Sequence, residues 1–194
     1  MLRLFVGLTL PEEVRRQLEL LQTDLPGARW VPPQNMHLTL CFLGEIDRHT
    51  ADDADLALEG VRSPSFDLRL SGVDWFGQKA RAGEGRLLYV DIEKNPDLIQ
   101  LQERIVSALQ RFGIRPEKRR FHPHVTIARL RDIRFDRLAG FCRQKNLFAT
   151  QPFPVEDFSL FSSVLTRDGS HYAIEASYPL TPQPITARSG DPVL

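Results

Sequence analysis

Apolar residues recur along the chain at two spacings: the alternation typical of strands and the three-to-four-residue spacing typical of helices. The alternating or continuous apolar runs predict strands over 2–8, 37–43, 66–76, 86–92, 124–128, 155–165 and 172–178. The helical spacing predicts helices over 11–22, 50–61, 96–112 and 135–145. Glycine and proline lie at several of the boundaries, where these residues favour turns and helix ends.

The predicted elements follow the same order in both halves of the chain. Each half contains a helix, a strand, a second helix and a hairpin, and the halves run nearly in step when His37 is set over His124. In this comparison the hairpin over 66–92 corresponds to the hairpin over 155–178. The order predicts a duplicated α+β unit with two lobes, and we expect residues 1–180 to form a single bilobal domain.

Composition and charge narrow the class of protein. The chain has 194 residues, and its 25 Lys and Arg balance its 25 Asp and Glu. With 42% hydrophobic residues, a chain of this length can bury a core, which excludes disorder as its main character. A zero net charge argues against a protein that coats a nucleic-acid duplex, because such proteins carry an excess of Lys and Arg.

The cysteines and the two termini indicate where the protein works. Two cysteines are too few for a disulfide scaffold, and the N-terminal sequence lacks the features of a signal peptide, so a cytoplasmic location with reduced thiols is expected. No apolar run is long enough to cross a bilayer, so we expect no membrane partner. The proline-rich tail over 181–194 has no periodicity and is expected to be loosely ordered.

A four-residue pattern, His-x-Thr followed by an apolar residue, occurs once in each half on a predicted strand. It reads His-Leu-Thr-Leu over 37–40 and His-Val-Thr-Ile over 124–127. Because side chains alternate along a strand, each His and Thr share one face while the apolar residues share the other. A single match is more often structural, so the doubling at equivalent positions carries the functional signal.

Two histidines facing one cleft suit phosphodiester chemistry. A neutral imidazole takes a proton from the attacking oxygen, and a charged one gives a proton to the leaving oxygen. Thr39 and Thr126 can donate hydrogen bonds to the nonbridging phosphate oxygens. Arg129 is the candidate for holding the phosphate charge. Strict alternation places Arg129 on the face opposite His124, unless the strand bulges or ends there.

Two other chemistries are conceivable at the same motifs. His122 and His124 could ligate a metal, but Pro123 between them and the lack of nearby ligands make a complete local metal site unfavourable, and no metal is expected. Alternation also places Cys41 on the face of His37. A small half-buried hydrophobic residue is the default interpretation of Cys41, because a thiol nucleophile needs an activated setting.

At these residues the chain resembles the two-histidine (2H) phosphoesterase superfamily, and within it the bacterial and archaeal RNA 2',3'-cyclic phosphodiesterases, first named 2'-5' RNA ligases. The resemblance extends to about residue 180. The matching segments are RWVPPQNMHLTL at 29–40, FLG at 42–44, FHPHVTIAR at 121–129 and LFSSVL at 160–165.

The resemblance implies a bilobal fold with pseudo-twofold symmetry, in which each lobe is an antiparallel sheet backed by helices and the cleft lies between the lobes. It implies hydrolysis of a terminal 2',3'-cyclic phosphodiester on RNA to a 2'-phosphomonoester, with no metal or other cofactor. By the same resemblance, His37 is the proton donor and His124 the proton acceptor, while Thr39, Thr126 and Arg129 bind the phosphate. The implied substrates are a tRNA half, an oligonucleotide or a cyclic nucleotide.

Several members of this group also join or cleave 2'-5' linkages, so reversible ligation is expected as a side reaction, and the protein is expected to be a monomer. Two alternatives stay open at this stage. One is a noncatalytic module that binds a nucleotide or an RNA end. The other is a 2'-5' RNA ligase, or 2'-5' oligonucleotide phosphodiesterase, as the main role.

The balanced charge is an average over two unlike regions. Acidic residues concentrate over 45–60, and basic residues concentrate over 111–134, on both sides of the second motif. Such a basic run can be a solvated surface. Its position favours a local positive field that attracts an RNA end, and Arg119 and Arg120 are the candidate RNA-binding residues.

Overall fold

The structure is a computed structural model, and it describes residues 1–77, 86–118, 120–166 and 169–182. A 3₁₀ turn, Pro33–Asn35, precedes the first motif. The strands and helices within the described residues are β1 (Leu2–Thr9), α1 (Glu12–Glu19), β2 (Ala28–Trp30), β3 (His37–Ile46), α2 (Arg48–Glu59), β4 (Phe66–Leu68), β5 (Leu70–Phe76), β6 (Arg86–Ile92), α3 (Pro96–Arg111), β7 (His124–Leu130), α4 (Phe135–Lys145), β8 (Phe153–Val155), β9 (Asp157–Thr166) and β10 (Gly169–Pro179).

Eight of these strands form one sheet in the order β10-β9-β1-β3-β7-β6-β5, with β2 paired to β7. The pairs between these strands are antiparallel. The two motif strands, β3 and β7, are paired at one position, Leu38 opposite Val125. The predicted α+β class is confirmed, and the sheets of the two lobes are joined through this pair.

The two lobes do not correspond to two separate halves of the chain. β6 pairs with β7 as β1 pairs with β3, so the structural counterpart of β6 is β1 rather than β10. The first repeat therefore runs from β1 to β5, and the second runs from β6 to β9. Each repeat places its last strand in the other lobe: β5 pairs with β6, and β9 pairs with β1. The sequence comparison that set the two hairpins over one another was wrong on this point, because adjacency in the sheet is not visible in local patterns.

One face of the sheet and the four helices α1 to α4 share a single apolar core. Burying one leucine or isoleucine side chain in this core contributes about 1.5–3 kcal/mol to the free energy of unfolding. This burial holds the helices against the sheet. None of the helices among the described residues has the length and apolar character needed to cross a membrane. Fully buried members of the core include Leu38, Leu40, Val125 and Ile127 from the motif strands and Leu18, Leu58, Leu101, Ile105 and Leu138 from the helices.

Most element boundaries differ from the predicted ones by a few residues, and two of the differences have a visible local cause. The helix predicted over 50–61 begins at Arg48, because the Asp47 carboxylate caps it by accepting a hydrogen bond from Thr50 N at 2.8 Å. The strand predicted to end before Gly44 continues to Ile46, because glycine accommodates a φ of +79° beside a register shift. The helix predicted over 11–22 ends at Glu19.

One further segment differs from its prediction, and the predicted tail stays untested. The strand predicted over 66–76 is divided at Arg69, because β4 pairs with β8 in a separate two-stranded sheet. Of the predicted tail, 183–194 lies outside the described residues, and Thr181 donates a backbone hydrogen bond to Ser63 O at 2.9 Å.

Strand β2 lies beside β7 because Gly27 allows a tight approach just before it. Gly27 has a φ of +91°, which favours glycine. A Cβ at this position would lie 2.2 Å from Arg131 O, and the Arg131 N–H donates to Gly27 O at 2.8 Å. The pairing of β2 with β7 therefore requires a residue without a side chain at 27.

We predict that Gly27→Ala lowers the free energy of unfolding by about 3 kcal/mol, because it combines a disfavoured backbone conformation with a clash against a backbone carbonyl. Gly113→Ala is the matched control: its φ is +77°, but no atom lies within 4 Å of the added Cβ. The control should cost only about 1–2 kcal/mol. Denaturant unfolding measures both, and equal losses would contradict the proposed clash.

Candidate active site

The pairing of Leu38 with Val125 brings the two motifs together. Both residues are fully buried on the core side, so the histidine and threonine on either side of each lie on the opposite face. Because β3 and β7 are antiparallel, Thr39 lies on the side of His124, and Thr126 on the side of His37. The structure thus gathers the four predicted motif side chains around the point where the lobes join.

Both histidine rings are held in the same way. The Nδ1–H of His37 donates to Asn35 O at 2.8 Å, and the Nδ1–H of His124 donates to His122 O at 2.7 Å. A carbonyl oxygen is only an acceptor, so Nδ1 carries the proton in each ring. Nε2 is then the nitrogen that can exchange a proton with a substrate. The pseudo-symmetry thus extends to the tautomers of the two histidines.

Aromatic side chains enclose both rings and change their protonation. The ring centroid of His37 lies 4.8 Å from that of Phe5 and 4.9 Å from that of Tyr172. The ring of His124 lies 4.9 Å from Phe76. Burial lowers the pKa of both histidines below the ordinary value, and the charge of His124 lowers the pKa of His37 further. Two charged imidazoles are therefore disfavoured together.

An acidic residue distinguishes the second histidine from the first. Asp91 on β6 is the register partner of His124, whereas Thr9 on β1 is the register partner of His37. The Asp91 carboxylate lies 3.6 Å from Nε2 of His122 and raises the pKa of His124, against the larger lowering by burial. Asp91 was not predicted, because its position beside His124 depends on the pairing of β6 with β7.

A bulge in β7 decides the side on which Arg129 lies. Consecutive residues Tyr89 and Leu88 on β6 pair with Thr126 and Ala128, so Ile127 is an extra residue in β7. Arg129 pairs with Leu87, which shares a face with Tyr89, and register partners share a face. Arg129 therefore lies on the face of His124 and Thr126. The placement by strict alternation was wrong, and the bulge is the reason.

The same bulge occurs in β3 and moves Cys41 away from the cleft. Val6 and Gly7 on β1 pair with Cys41 and Thr39, so Leu40 is the extra residue. Cys41 is 8% exposed and belongs to the core, and burial raises the pKa of its thiol to about 12. The placement of Cys41 on the face of His37 was therefore wrong. Its default interpretation, a small hydrophobic residue, agrees with this burial.

Phe42 occupies the position in β3 that Arg129 occupies in β7. It pairs with Phe5, lies on the face of His37 and Thr39, and is 40% exposed. Phe42 was not among the predicted site residues, although aligning the two motifs residue by residue places it over Arg129. The cleft therefore carries a cation beyond one motif and an aromatic ring beyond the other.

Of the two candidate RNA-binding residues, Arg119 lies outside the described residues, and Arg120 is exposed. The segment just before them runs beside the first motif strand, since Glu117 N donates to Phe42 O at 2.9 Å. In the described part of the chain, no three His, Cys, Asp or Glu side chains form a group that could hold a metal ion.

The fold matches a known class, the phosphoesterases. A solved protein of Thermus thermophilus superposes with a TM-score of 0.75 at 27% identity, covering 93% of this chain and 99% of that one. Escherichia coli LigT, solved in complex with 3'-AMP, superposes with a TM-score of 0.72 at 29% identity, covering 93% of this chain and 98% of that one.

The family model described as LigT-like phosphoesterase matches residues 8–83 and 90–172. The chain belongs to this family of the 2H superfamily. It is 31% identical over 184 residues to the RNA 2',3'-cyclic phosphodiesterase of Thermotoga maritima, and the match covers 89% of this chain and 92% of that protein. The resemblance recognised in the motifs is thereby confirmed.

We predict that Asp91→Asn lowers the pKa of His124, because it removes a negative charge that favours the charged imidazole. Titration of the histidine signals by NMR measures the change. Glu93→Gln is the matched control, since Glu93 lies at the exposed end of the same segment and pairs with Arg69. An unchanged His124 titration in Asp91→Asn would contradict the influence of Asp91.

Proposed function

We propose that this protein hydrolyses the 2',3'-cyclic phosphodiester at the end of an RNA to a 2'-phosphomonoester. The observation that carries the proposal is the pair of histidines, held with the same tautomer on adjacent strands and accompanied by a threonine each. This arrangement supplies two proton-transferring nitrogens around one phosphate without requiring a further group.

The roles of the two histidines are assigned by the family resemblance, in which the first motif supplies the proton donor and the second the proton acceptor. The His124 ring is neutral, with no proton on Nε2, and this nitrogen accepts a proton from water as the water oxygen attacks phosphorus. The bond from phosphorus to the ribose 3' oxygen breaks, and His37, charged at the start, donates its proton to that oxygen. The 2' oxygen keeps the phosphate. Each histidine ends in the starting state of the other, and exchange with solvent resets the pair.

Three further side chains are assigned to the phosphate. The hydroxyls of Thr39 and Thr126 donate to its nonbridging oxygens, where charge concentrates during the displacement. The Arg129 guanidinium, which the bulge in β7 places on the same face, offsets the negative charge. Exposed Arg120 is assigned to contact with the RNA chain.

Two relatives support the choice of substrate. The Thermotoga maritima relative is named an RNA 2',3'-cyclic phosphodiesterase. Escherichia coli LigT was solved with 3'-AMP, which carries a phosphate on a ribose oxygen that the proposed reaction involves. We extend both to this chain because it belongs to the same family and superposes on LigT over 93% of its length, and we propose an RNA end or a cyclic nucleotide as the partner.

We predict that His37→Ala and His124→Ala each reduce kcat by about 100-fold to 10,000-fold, the usual contribution of a general acid or base. The assay follows the opening of an RNA oligonucleotide with a 2',3'-cyclic phosphate, in the presence of EDTA. The unmodified protein should keep its activity in EDTA. Retained activity in either variant, or loss of wild-type activity in EDTA, would contradict the mechanism.

We predict a bell-shaped dependence of kcat/KM on pH, with its maximum below about 6.5, the ordinary pKa of histidine. The base must be neutral and the acid charged, so the rate rises through one pKa and falls through the other. Burial lowers both, which moves both limbs to lower pH. A bound phosphate anion favours charged imidazoles, so the limbs of the kcat profile should lie at higher pH than those of the kcat/KM profile. A flat profile between pH 5 and 8 is the outcome that contradicts this.

A further inference from the structure

The residue two positions before each motif histidine is anchored to another strand by its own side chain. Asn35 and His122 hold these equivalent positions, and the backbone carbonyl of each accepts the Nδ1–H of its histidine. The Asn35 side chain donates from Nδ2 to Ser170 O on β10 at 3.0 Å. Nε2 of His122 lies 3.6 Å from the Asp91 carboxylate on β6. Both carbonyls therefore belong to residues whose side chains are themselves held.

The first anchor holds a residue that no strand ladder supports. Asn35 ends the 3₁₀ turn Pro33–Asn35, and strand β3 begins only at His37. Connecting segments are more mobile than the elements they join, so the position of such a residue depends on its other contacts. Here these contacts are the hydrogen bond to Ser170 O and the burial of the next residue, Met36, in the core. The Asn35 carbonyl is thus held on both sides.

The second anchor joins an imidazole to a carboxylate among aromatic rings. His122 also lies outside the ladder of its motif strand, which begins at His124. The centroid of the His122 ring lies 5.2 Å from that of Phe76 and 5.5 Å from that of Tyr89. The side chains of His122 and Asp91 are 46% and 43% exposed, so water screens their attraction less than that of a fully exposed pair.

The position of each carbonyl matters because it selects the tautomer of a histidine. The hydrogen bond made by one ring nitrogen decides which nitrogen carries the proton in the neutral ring. If the carbonyl moves away, the proton can transfer to Nε2, and that nitrogen can no longer accept a proton. His124 would then lose its capacity to act as a base, and His37 would lose the contact that orients its ring.

We propose that Asn35 and His122 are positioning residues for His37 and His124, because their anchored side chains hold the carbonyls that keep the proton on Nδ1. The expected effect on the reaction rate rests on the proposed function, whereas the effect on the tautomer concerns the rings alone. The two anchors end on β10 and β6, on opposite sides of the motif strands. Breaking one anchor should therefore affect one histidine only.

The test removes one anchor at a time and measures the tautomers directly. Asn35→Ala removes the amide donor, and His122→Phe keeps an aromatic ring that cannot pair with Asp91. Nitrogen-15 chemical shifts of the imidazoles distinguish the two tautomers at a pH where the rings are neutral. We expect the wild type to show the Nδ1–H form at both motif histidines. Asn35→Ala should shift only His37 toward the Nε2–H form, and His122→Phe should shift only His124.

Kinetics and a rescue variant separate positioning from a structural role. With the cyclic-phosphate oligonucleotide, kcat should fall about 10–100-fold in Asn35→Ala and in His122→Phe, as when a group that orients a metal-binding histidine is removed. KM should stay unchanged, because neither side chain is assigned to the substrate. His122→Arg restores a cation that can pair with Asp91, and it should recover the Nδ1–H form at His124.

Two matched controls break similar contacts far from the cleft. Asn95→Ala removes a side chain that donates to one backbone group and accepts from another at the start of α3. His49→Phe breaks an exposed pair with Asp53 on α2. Both controls should leave kcat and the signals of the two motif histidines unchanged, and thermal unfolding shows how much stability each variant loses.

Each outcome decides the inference. An unmoved tautomer in either anchor variant would overturn it, as would a shift of both histidines in one variant or in Asn95→Ala. A shifted tautomer with unchanged kcat, or a His122→Arg variant that behaves like His122→Phe, would also overturn it. If the wild type opens no cyclic phosphate, the proposed function fails, and the tautomer measurement alone then decides whether the anchors hold the two rings.

Discussion

The contact between Leu38 and Val125 is the constraint on which the rest of the structure depends. Within the described residues it is the one position at which β3 and β7 are paired, and both residues are fully buried. Because each is flanked by a histidine and a threonine of its motif, burying the pair directs all four polar side chains to the opposite face. The hydrophobic effect that joins the lobes thus also assembles the cleft.

Around this contact, the scaffold is symmetric while the chemistry is not. Both motif strands carry a bulge after the threonine, and both histidines donate through Nδ1 to the carbonyl two residues earlier. The surroundings differ: Asp91 lies beside only the second histidine, and Phe42 stands where the second motif has Arg129. The two motifs thus have the same geometry in different electrostatic surroundings.

Local periodicity was enough to predict the main elements and the shared face of each His and Thr, because two-residue alternation involves no partner strand. It failed at Cys41 and Arg129. A bulge is a property of two paired strands, and it arises where β1 and β6 meet the motif strands, far away in sequence. Asp91 was missed for the same reason. Family resemblance suggested a role for Arg129, but the register supplied the physical account of it.

The exchange of strands between the lobes has a consequence for how such a molecule can be built. Each repeat gives its last strand to the sheet of the other, so neither lobe is complete without both. A chain of half this length could form the same sheet only as two copies that swap those strands, and its folding would depend on concentration. When the two copies are joined in one polypeptide, assembly of the sheet no longer depends on the meeting of two chains. The two copies of the motif can then diverge from one another.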